Sequence, residues 1–252
     1  VNESVKLAKK LTRGLSGFVN AVLRSVLREC DSISIGELAK SEAEEISFIY
    51  NQPLWLVTLW MNEMGKDKTV DLCAWFNEQP RLTARINTVK VSIEDCIKEL
   101  QNLGWTIEQD KDIPEVVYIN SHQGHLEKAK PVIEGHITFM DKASMLVAHV
   151  VDPQPGDRIL DCCAAPGGKS MHMASLMNNT GAIMSCDIYD HKLELINQNA
   201  ERLGVSIIST KLQDGRYLPD NWKEQFDRVL VDAPCSGLGI LQKKLDMRWR
   251  KT

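Results

Sequence analysis

No stretch of this chain is long and apolar enough to cross a bilayer as a helix: its most apolar segment, Leu54 to Trp60, spans seven residues, where about 20 are needed. The amino terminus lacks the charged-then-apolar pattern of a secretory signal, so a cytoplasmic protein without membrane contact is expected. Cysteine is sparse, seven in 252 residues, with Cys162 and Cys163 adjacent and the others scattered. With no small-scaffold framework in their spacing and an odd number that cannot all pair within one chain, reduced thiols are expected. No C-x-x-C pair is present, so a metal centre built from Cys162, Cys163, Cys186, Cys235 and His172 is not expected, and no metal is assigned. Positive charge is not in excess either. A net charge of -4 argues against a chain that coats nucleic acid indiscriminately, because phosphate contacts need clustered Lys and Arg.

What is there describes a soluble globular chain, 43% hydrophobic and 25% charged, long enough for more than one folded unit. Basic charge collects at the two ends. Lys6, Lys9, Lys10, Arg13, Arg24 and Arg28 face only Glu3 and Glu29 in the first thirty residues, and Lys243, Lys244, Arg248, Arg250 and Lys251 face only Asp246 in the last ten. Each segment taken alone fits a solvated helix face as well as a nucleic-acid contact. The chain starts at Val1 without a methionine and stops at Thr252 directly after a motif, so it is expected to be a piece of something longer.

The first eighty residues read as helical. Val19, Val22, Leu23, Val26 and Leu27 recur at helical spacing within Phe18 to Arg28, a second helix follows Pro53 from Leu54, and a third runs from about Asp71 to Phe76. After Pro80 the pattern predicts a strand over Arg85 to Val91, a helix over Ser92 to Leu103, and strands over Glu115 to Ile119 and His136 to Met140, a small α/β unit. A helix over Ala143 to Val151 and the turn cluster Asp152 to Asp157 lead into strict alternation. Strands are predicted at Arg158 to Cys163, Gly181 to Ile188, Ser206 to Lys211 and Arg228 to Asp232, with helices at Ser170 to Met177 and Asp190 to Leu203. Alternation of this kind implies a parallel, doubly wound sheet with ligands at the carboxyl ends of its strands.

Three of those strand ends carry chemistry. Cys163, Ala164, Ala165, Pro166, Gly167, Gly168 and Lys169 follow the first: small residues let the backbone approach a ligand, and the helix that follows offers unpaired N-H groups to a carboxylate. The run has neither the G-x-G-x-x-G spacing nor the full phosphate loop, so a phosphate-binding role is not expected. Asp187, twenty residues beyond Gly167 at the end of the next strand, can accept both hydroxyl protons of a ribose, although a strand-terminal Asp is often only a turn former. Asp214 can meet an adenine amino group, against the plain reading of a turn Asp followed by Gly. Asp232, Ala233, Pro234, Cys235, Ser236 and Gly237 form the most specific element: a cysteine in a loop after a strand-terminal aspartate suits chemistry better than core, and local positive potential would favour its thiolate. Trp222 and Trp249 can stack on bases, but tryptophan at domain edges more often packs.

On these residues, together with Val1 to Val5, Gly17 to Arg24, Asn51 to Val57 and Arg85 to Asn87, the chain resembles the RsmB/Sun (Fmu) branch of the RNA cytosine-C5 methyltransferases over nearly its whole length. The resemblance implies an α/β fold. A Rossmann-like S-adenosylmethionine methyltransferase domain over 142–252, its parallel sheet incomplete and its carboxyl-terminal part missing, would follow a small α/β (RRM-like) subdomain over 81–141 and a helical NusB-like RNA-binding remnant with connecting helices over 1–80. It further implies S-adenosyl-L-methionine as cofactor, held by Cys163 to Lys169, Asp187, Asp214 and Asp232, and RNA as partner, specifically 16S ribosomal RNA of the small subunit. Cys162 departs from the aliphatic residue usual in the family, and Ser236 to Lys244 is shaped differently from some relatives.

The family's chemistry follows from the substrate. Cytosine C5 is a poor nucleophile, so a cysteine thiolate adds to C6, C5 takes the methyl group, and a base removes the C5 proton as the cysteine leaves. By resemblance Asp232 holds the base edge near N3 and Cys235 assists product release, while the attacking cysteine sits in a later Thr-Cys-Ser motif. No Thr-Cys-Ser occurs here, so the nucleophile is expected beyond residue 252. Rival readings are a catalytically silent RNA-binding or assembly module, and a cytosine-C5 methyltransferase acting on tRNA. In the DNA enzymes of this chemistry the Pro-Cys cysteine itself attacks, but the helical amino-terminal region argues for RNA.

Overall fold

The computed structural model describes residues 1–12, 14–30 and 35–250; Arg13 and Lys251, counted above among the basic ends, lie outside them. The chain divides into two units, Val1–Gln79 with Gly237–Thr252, and Pro80–Ser236.

In the first unit, α1 (Asn2–Leu11) and α2 (Ser16–Glu29) pack on each other, with Leu7, Leu11, Phe18, Val22, Val26 and Leu27 left exposed. α3 (Ile35–Leu38) precedes α4 (Glu42–Tyr50), which the periodicity does not announce. Its start is a cap: the Ser41 hydroxyl accepts the Glu44 N–H at 3.2 Å, and the Glu44 carboxylate accepts the Lys40 N–H at 2.7 Å. α5 (Leu54–Met64) and α6 (Lys66–Asn77) complete the set, α6 starting five residues before the predicted Asp71 because Gly65, at φ +85°, turns the chain sharply enough to restart a helix at once. Ile46, Leu56, Val57, Trp60, Cys73 and Phe76 form the core with Leu241. The buried Arg248 locks the carboxyl-terminal segment onto it, donating to the carbonyls of Phe76 at 2.7 Å and Asn51 at 3.2 Å and to Asn77 Oδ1 at 2.8 Å.

The second unit opens with an antiparallel sheet in the order β2-β3-β1-β4, built from β1 (Leu82–Ile86), β2 (Thr106–Gln109), β3 (Val116–Ser121) and β4 (Ile137–Phe139). α7 (Ile93–Asn102), capped by Ser92, packs Cys96 and Leu100 against Ala84, Ile86, Val117, Ile119 and Ile137. β1 ends at Ile86 and not at Val91, because the Asn87 amide is taken by the carbonyls of Gly135 and Leu203, each at 2.8 Å, and the chain turns there. α8 (Lys130–Ile133) leads into β4.

After α9 (Lys142–Val151), four parallel strands follow in the order β7-β6-β5-β8: β5 (Arg158–Asp161), β6 (Ala182–Asp187), β7 (Ile208–Leu212) and β8 (Arg228–Leu230). α10 (Gly168–Leu176) and α11 (Asp190–Leu203) cross between them. The α/β class with a parallel sheet is therefore the observed one. One face of the sheet meets Ala148, Met171, Met173, Ala174, Leu193 and Ile196; the other carries Leu160, Cys162 and Cys186, with Trp222 and Phe226 packed on them. Trp222 thus packs on the sheet, its ring 5.8 Å from Phe226. β8 is the last strand in the order, and its Val229 and the adjoining Val231 are 54% and 65% exposed, the unpaired edge of a sheet.

Candidate active site

β5 and β6 end on buried carboxylates. Asp161 accepts the Ser170 hydroxyl at 2.7 Å, and Ser185 reaches Ser170 at 2.9 Å, so a buried polar chain ties the end of β5 to the first turn of α10. Burial pushes the Asp161 carboxyl up, and the Ser170 bond opposes it. Between them the chain makes a tight loop: the Ala164 N–H reaches the Cys186 carbonyl at 2.8 Å and the Gly167 N–H the Ala164 carbonyl at 2.7 Å. Gly167 sits at φ +99°, and a Cβ there would stand 3.2 Å from Met171 Cε and 3.4 Å from Ile196 Cγ2. The positive φ is what favours glycine here; an added Cβ would touch Ile196 and press only on the flexible end of Met171.

The loop is one wall of a cleft of about 860 Å³ at the carboxyl ends of the parallel strands. Of the sequence-predicted residues, Cys163, Ala165, Asp187, Asp214, Asp232 and Cys235 line it. Ala164 and Gly167 are buried behind the wall, Pro166 points to solvent, and Gly168 and Lys169 are half-buried in the turn into α10. Lys169 reaches the cleft through its ammonium, 2.6 Å from Asp232 Oδ2. Cys162, the departure from the family pattern, lines it too, as do Ile188, Tyr189, Lys192, Gly215 and Arg216, to which the sequence reading gave no role. Ile188, Tyr189 and Lys192 follow the strand-end Asp187 directly, a placement that the strand boundary alone would have signalled.

The Asp187 side chain is 8% exposed, and its Oδ1 meets both the Tyr189 N–H at 3.2 Å and Lys192 at 3.6 Å. Arg216 forks onto Asp214, its Nη2 2.7 Å from Oδ2, and with the Arg216 N–H holds that carboxyl down at about 2. Burial and the surrounding Asp161, Asp187, Asp232 and Asp214 raise the Cys163 thiol, so it faces the cleft protonated. Cys235 is exposed and lines the cleft, three residues after Asp232. Among the described residues, the His, Cys, Asp and Glu side chains that gather in threes are Glu115, His149 and His172, and Glu99, Glu134 and His136; neither group contains a cysteine.

Residues 148–252 match the family model for 16S rRNA methyltransferase RsmB/F, and residues 52–124 match the ferredoxin-like domain of the RsmF/B-like methyltransferases. Over these two segments the chain is similar to the RsmB/F methyltransferases. Among relatives, it is 34% identical to the probable ribosomal RNA small subunit methyltransferase B of Bacillus subtilis and 35% identical to that of Synechocystis, in both cases over 100% of this chain and 56% of the relative. The chain thus spans about half the length of the curated RsmB relatives it matches. Among solved structures, PH0851 superposes with a TM-score of 0.76 at 30% identity, over 84% of this chain and 48% of that one. A methyltransferase homolog protein from Pyrococcus horikoshii, at 24% identity and a TM-score of 0.71 over 82% of this chain and 68% of that one, shares the fold. The cleft is formed entirely by residues of the segment 148–252 that matches the methyltransferase model.

Proposed function

We propose that this chain carries the cofactor-binding part of an enzyme that methylates carbon 5 of a cytosine in 16S ribosomal RNA, in the cytoplasm, with S-adenosyl-L-methionine as donor. The observation that carries the reading is the convergence of Asp187, Asp214, Asp232 and Cys235, from three strand ends, on one cleft. The residues fit that donor: the cleft is walled by small or apolar side chains (Ala165, Ile188, Gly215, Val231, Ala233) and is acidic at the points where hydroxyls, an amino group and a cation must be met. Asp187, whose hydrogen bond to Tyr189 and ion pair with Lys192 both fall on Oδ1, accepts the ribose hydroxyls, and Asp214 accepts the adenine amino group beside Ile188. The loop from Cys163 to Lys169 brings backbone close to the ligand. When bound, the donor supplies an electrophilic methyl group. Asp232 orients the cytosine edge, with Lys169 holding its carboxylate in place at 2.6 Å, and Cys235 assists release of product. The attacking thiolate is assigned to a cysteine outside these 252 residues, and the small sheet and the helices before it are assigned to RNA.

Calorimetric titration of the chain with S-adenosylmethionine and S-adenosylhomocysteine, with ATP and NAD as controls, tests the reading. Binding confined to the first two supports it. A folded chain that binds neither would overturn it in favour of a silent RNA-binding module.

A further inference from the structure

Away from the cleft, three polar side chains of the small sheet are buried against the methyltransferase half: Arg85 and Asn87 are fully covered and Glu115 is 7% exposed. Arg85 Nη1 donates to Ser175 Oγ at 3.0 Å, Asn87 donates to the Leu203 carbonyl at 2.8 Å, and Glu115 Oε1 accepts from His172 Nε2 at 2.9 Å and from His149 Nε2 at 2.7 Å. Ser175 and His172 lie on α10, His149 on α9 and Leu203 at the end of α11. Glu115 is itself fixed, because its carbonyl accepts the Ile86 N–H of β1 at 2.7 Å.

Apolar side chains would join these surfaces at lower desolvation cost. A buried carboxylate that must satisfy two imidazoles instead fixes the rotation and axial position of the helix it holds. His172 is one helical turn after Gly168, where the cofactor loop becomes α10, so a shift of His172 moves the loop with it. Glu115, His149 and His172 do not suit a metal ion. His172 Nδ1 is buried without a hydrogen-bond partner among the described residues, and ligation through Nε2 would move the imidazole proton onto that nitrogen, where no acceptor meets it.

We propose that Glu115 is a positioning residue for the cofactor loop, acting through His172 from outside the cofactor domain. The small sheet is then part of the machinery that shapes the cleft, in addition to any contact it makes with RNA. This rests on the cofactor reading above.

The test measures S-adenosylmethionine affinity by calorimetry for the full chain and for Glu115→Ala, Glu115→Gln, His172→Gln and the double variant Glu115→Ala/His172→Gln, with Leu100→Ala as control. Leu100 sits in the core of the same small sheet, on α7. Its truncation should lower stability while leaving affinity within about twofold. Glu115→Ala should weaken binding about tenfold, Glu115→Gln should recover most of that because an amide oxygen still accepts one imidazole, and the double variant should be no weaker than the worse single one. Additive losses, or a loss in Leu100→Ala equal to that in Glu115→Ala, would show general destabilisation and overturn the proposal. If Glu115→Ala does not fold, Glu115→Gln and His172→Gln decide: affinity unchanged in both refutes it. A wild-type chain that binds no S-adenosylmethionine defeats the cofactor reading itself; wild-type binding with an indifferent Glu115→Ala defeats this inference alone.

Discussion

Replacing Asp187 by alanine is the sharpest perturbation of the cleft, because it removes one carboxylate and leaves the strand that carries it intact. The side chain is 8% exposed, so solvent screens it little, and its Oδ1 already engages the Tyr189 N–H and Lys192 while Oδ2 is available. Hydrogen bonds to a charged acceptor contribute about 1.5 to 3 kcal/mol each at most, and part of that is already returned by water in the free protein. A net loss of about 1.5 to 3 kcal/mol for the ribose pair corresponds to roughly tenfold to hundredfold weaker binding. Asp187→Asn keeps an acceptor oxygen and loses the charge, so it should fall between, at about threefold to tenfold. Calorimetry with S-adenosylmethionine and S-adenosylhomocysteine reads both. The two ligands share the ribose, so they should lose affinity in parallel. Affinity within twofold of wild type for Asp187→Ala would remove Asp187 from the site, and a loss confined to the sulfonium ligand would assign it a charge role in place of ribose binding.

Gly167→Ala should cost about 1 to 3 kcal/mol of stability in urea unfolding, since φ +99° strains any L side chain and the new Cβ meets Met171 and Ile196; unchanged stability would mean that the loop relaxes freely. Arg248→Ala should cost about 2 to 4 kcal/mol, because it strips donors from the Phe76 and Asn51 carbonyls and from Asn77, and a midpoint equal to wild type would refute that anchoring role. Acid should destabilise the second unit in a defined window. Burial depresses the His172 imidazole to about 4 against the Glu115 bond, so from about pH 6.5 down to 4 the unfolded chain takes up a proton that the folded one refuses, and stability falls by on the order of 3 kcal/mol. Glu115, which the two histidines hold at about 2 despite its burial, adds a second loss below its ordinary carboxylate range. Urea midpoints measured from pH 7 to 4 should therefore decline in wild type and flatten in His172→Gln; parallel curves would refute the assignment.

How far the sequence could be read depended on whether a signal was local. α11 matches its predicted span because Leu193, Ile196, Ala200 and Leu203 repeat at helical spacing and all four are buried. Asp187, Asp214 and Asp232 line one cleft because each lies at the carboxyl end of a strand or within two residues of it, and a parallel sheet brings all such ends to one edge. β2 escaped notice because Thr106–Gln109 alternates nothing: its residues are almost all exposed, and pairing with β3 alone makes it a strand. α4 escaped because its buried face is short, although Ser41 and Glu44 have the spacing of a cap. Arg85 and Glu115 read as ordinary charged residues on strands. Their burial depends on α10 covering the second face of β1, a fact of tertiary packing that no window of residues contains.

The ion pairs of the cleft bear on what it admits. Asp187 stands 3.6 Å from Lys192, Asp214 2.7 Å from Arg216 and Asp232 2.6 Å from Lys169. A neutral hydroxyl or amino group can add to a carboxylate that keeps its cation, because each carboxylate offers about four lone-pair sites. A sulfonium is attracted to the same acids. A triphosphate gains less: Lys and Arg can donate to it while keeping their partners, but its charges are then held beside three carboxylates that repel them. The same side chains that make the cleft acidic thus provide discrimination against ATP without any group placed to exclude it. That is why ATP is the informative control in the binding experiment, and why rejection of ATP should weaken when Asp214 and Asp232 are neutralised together.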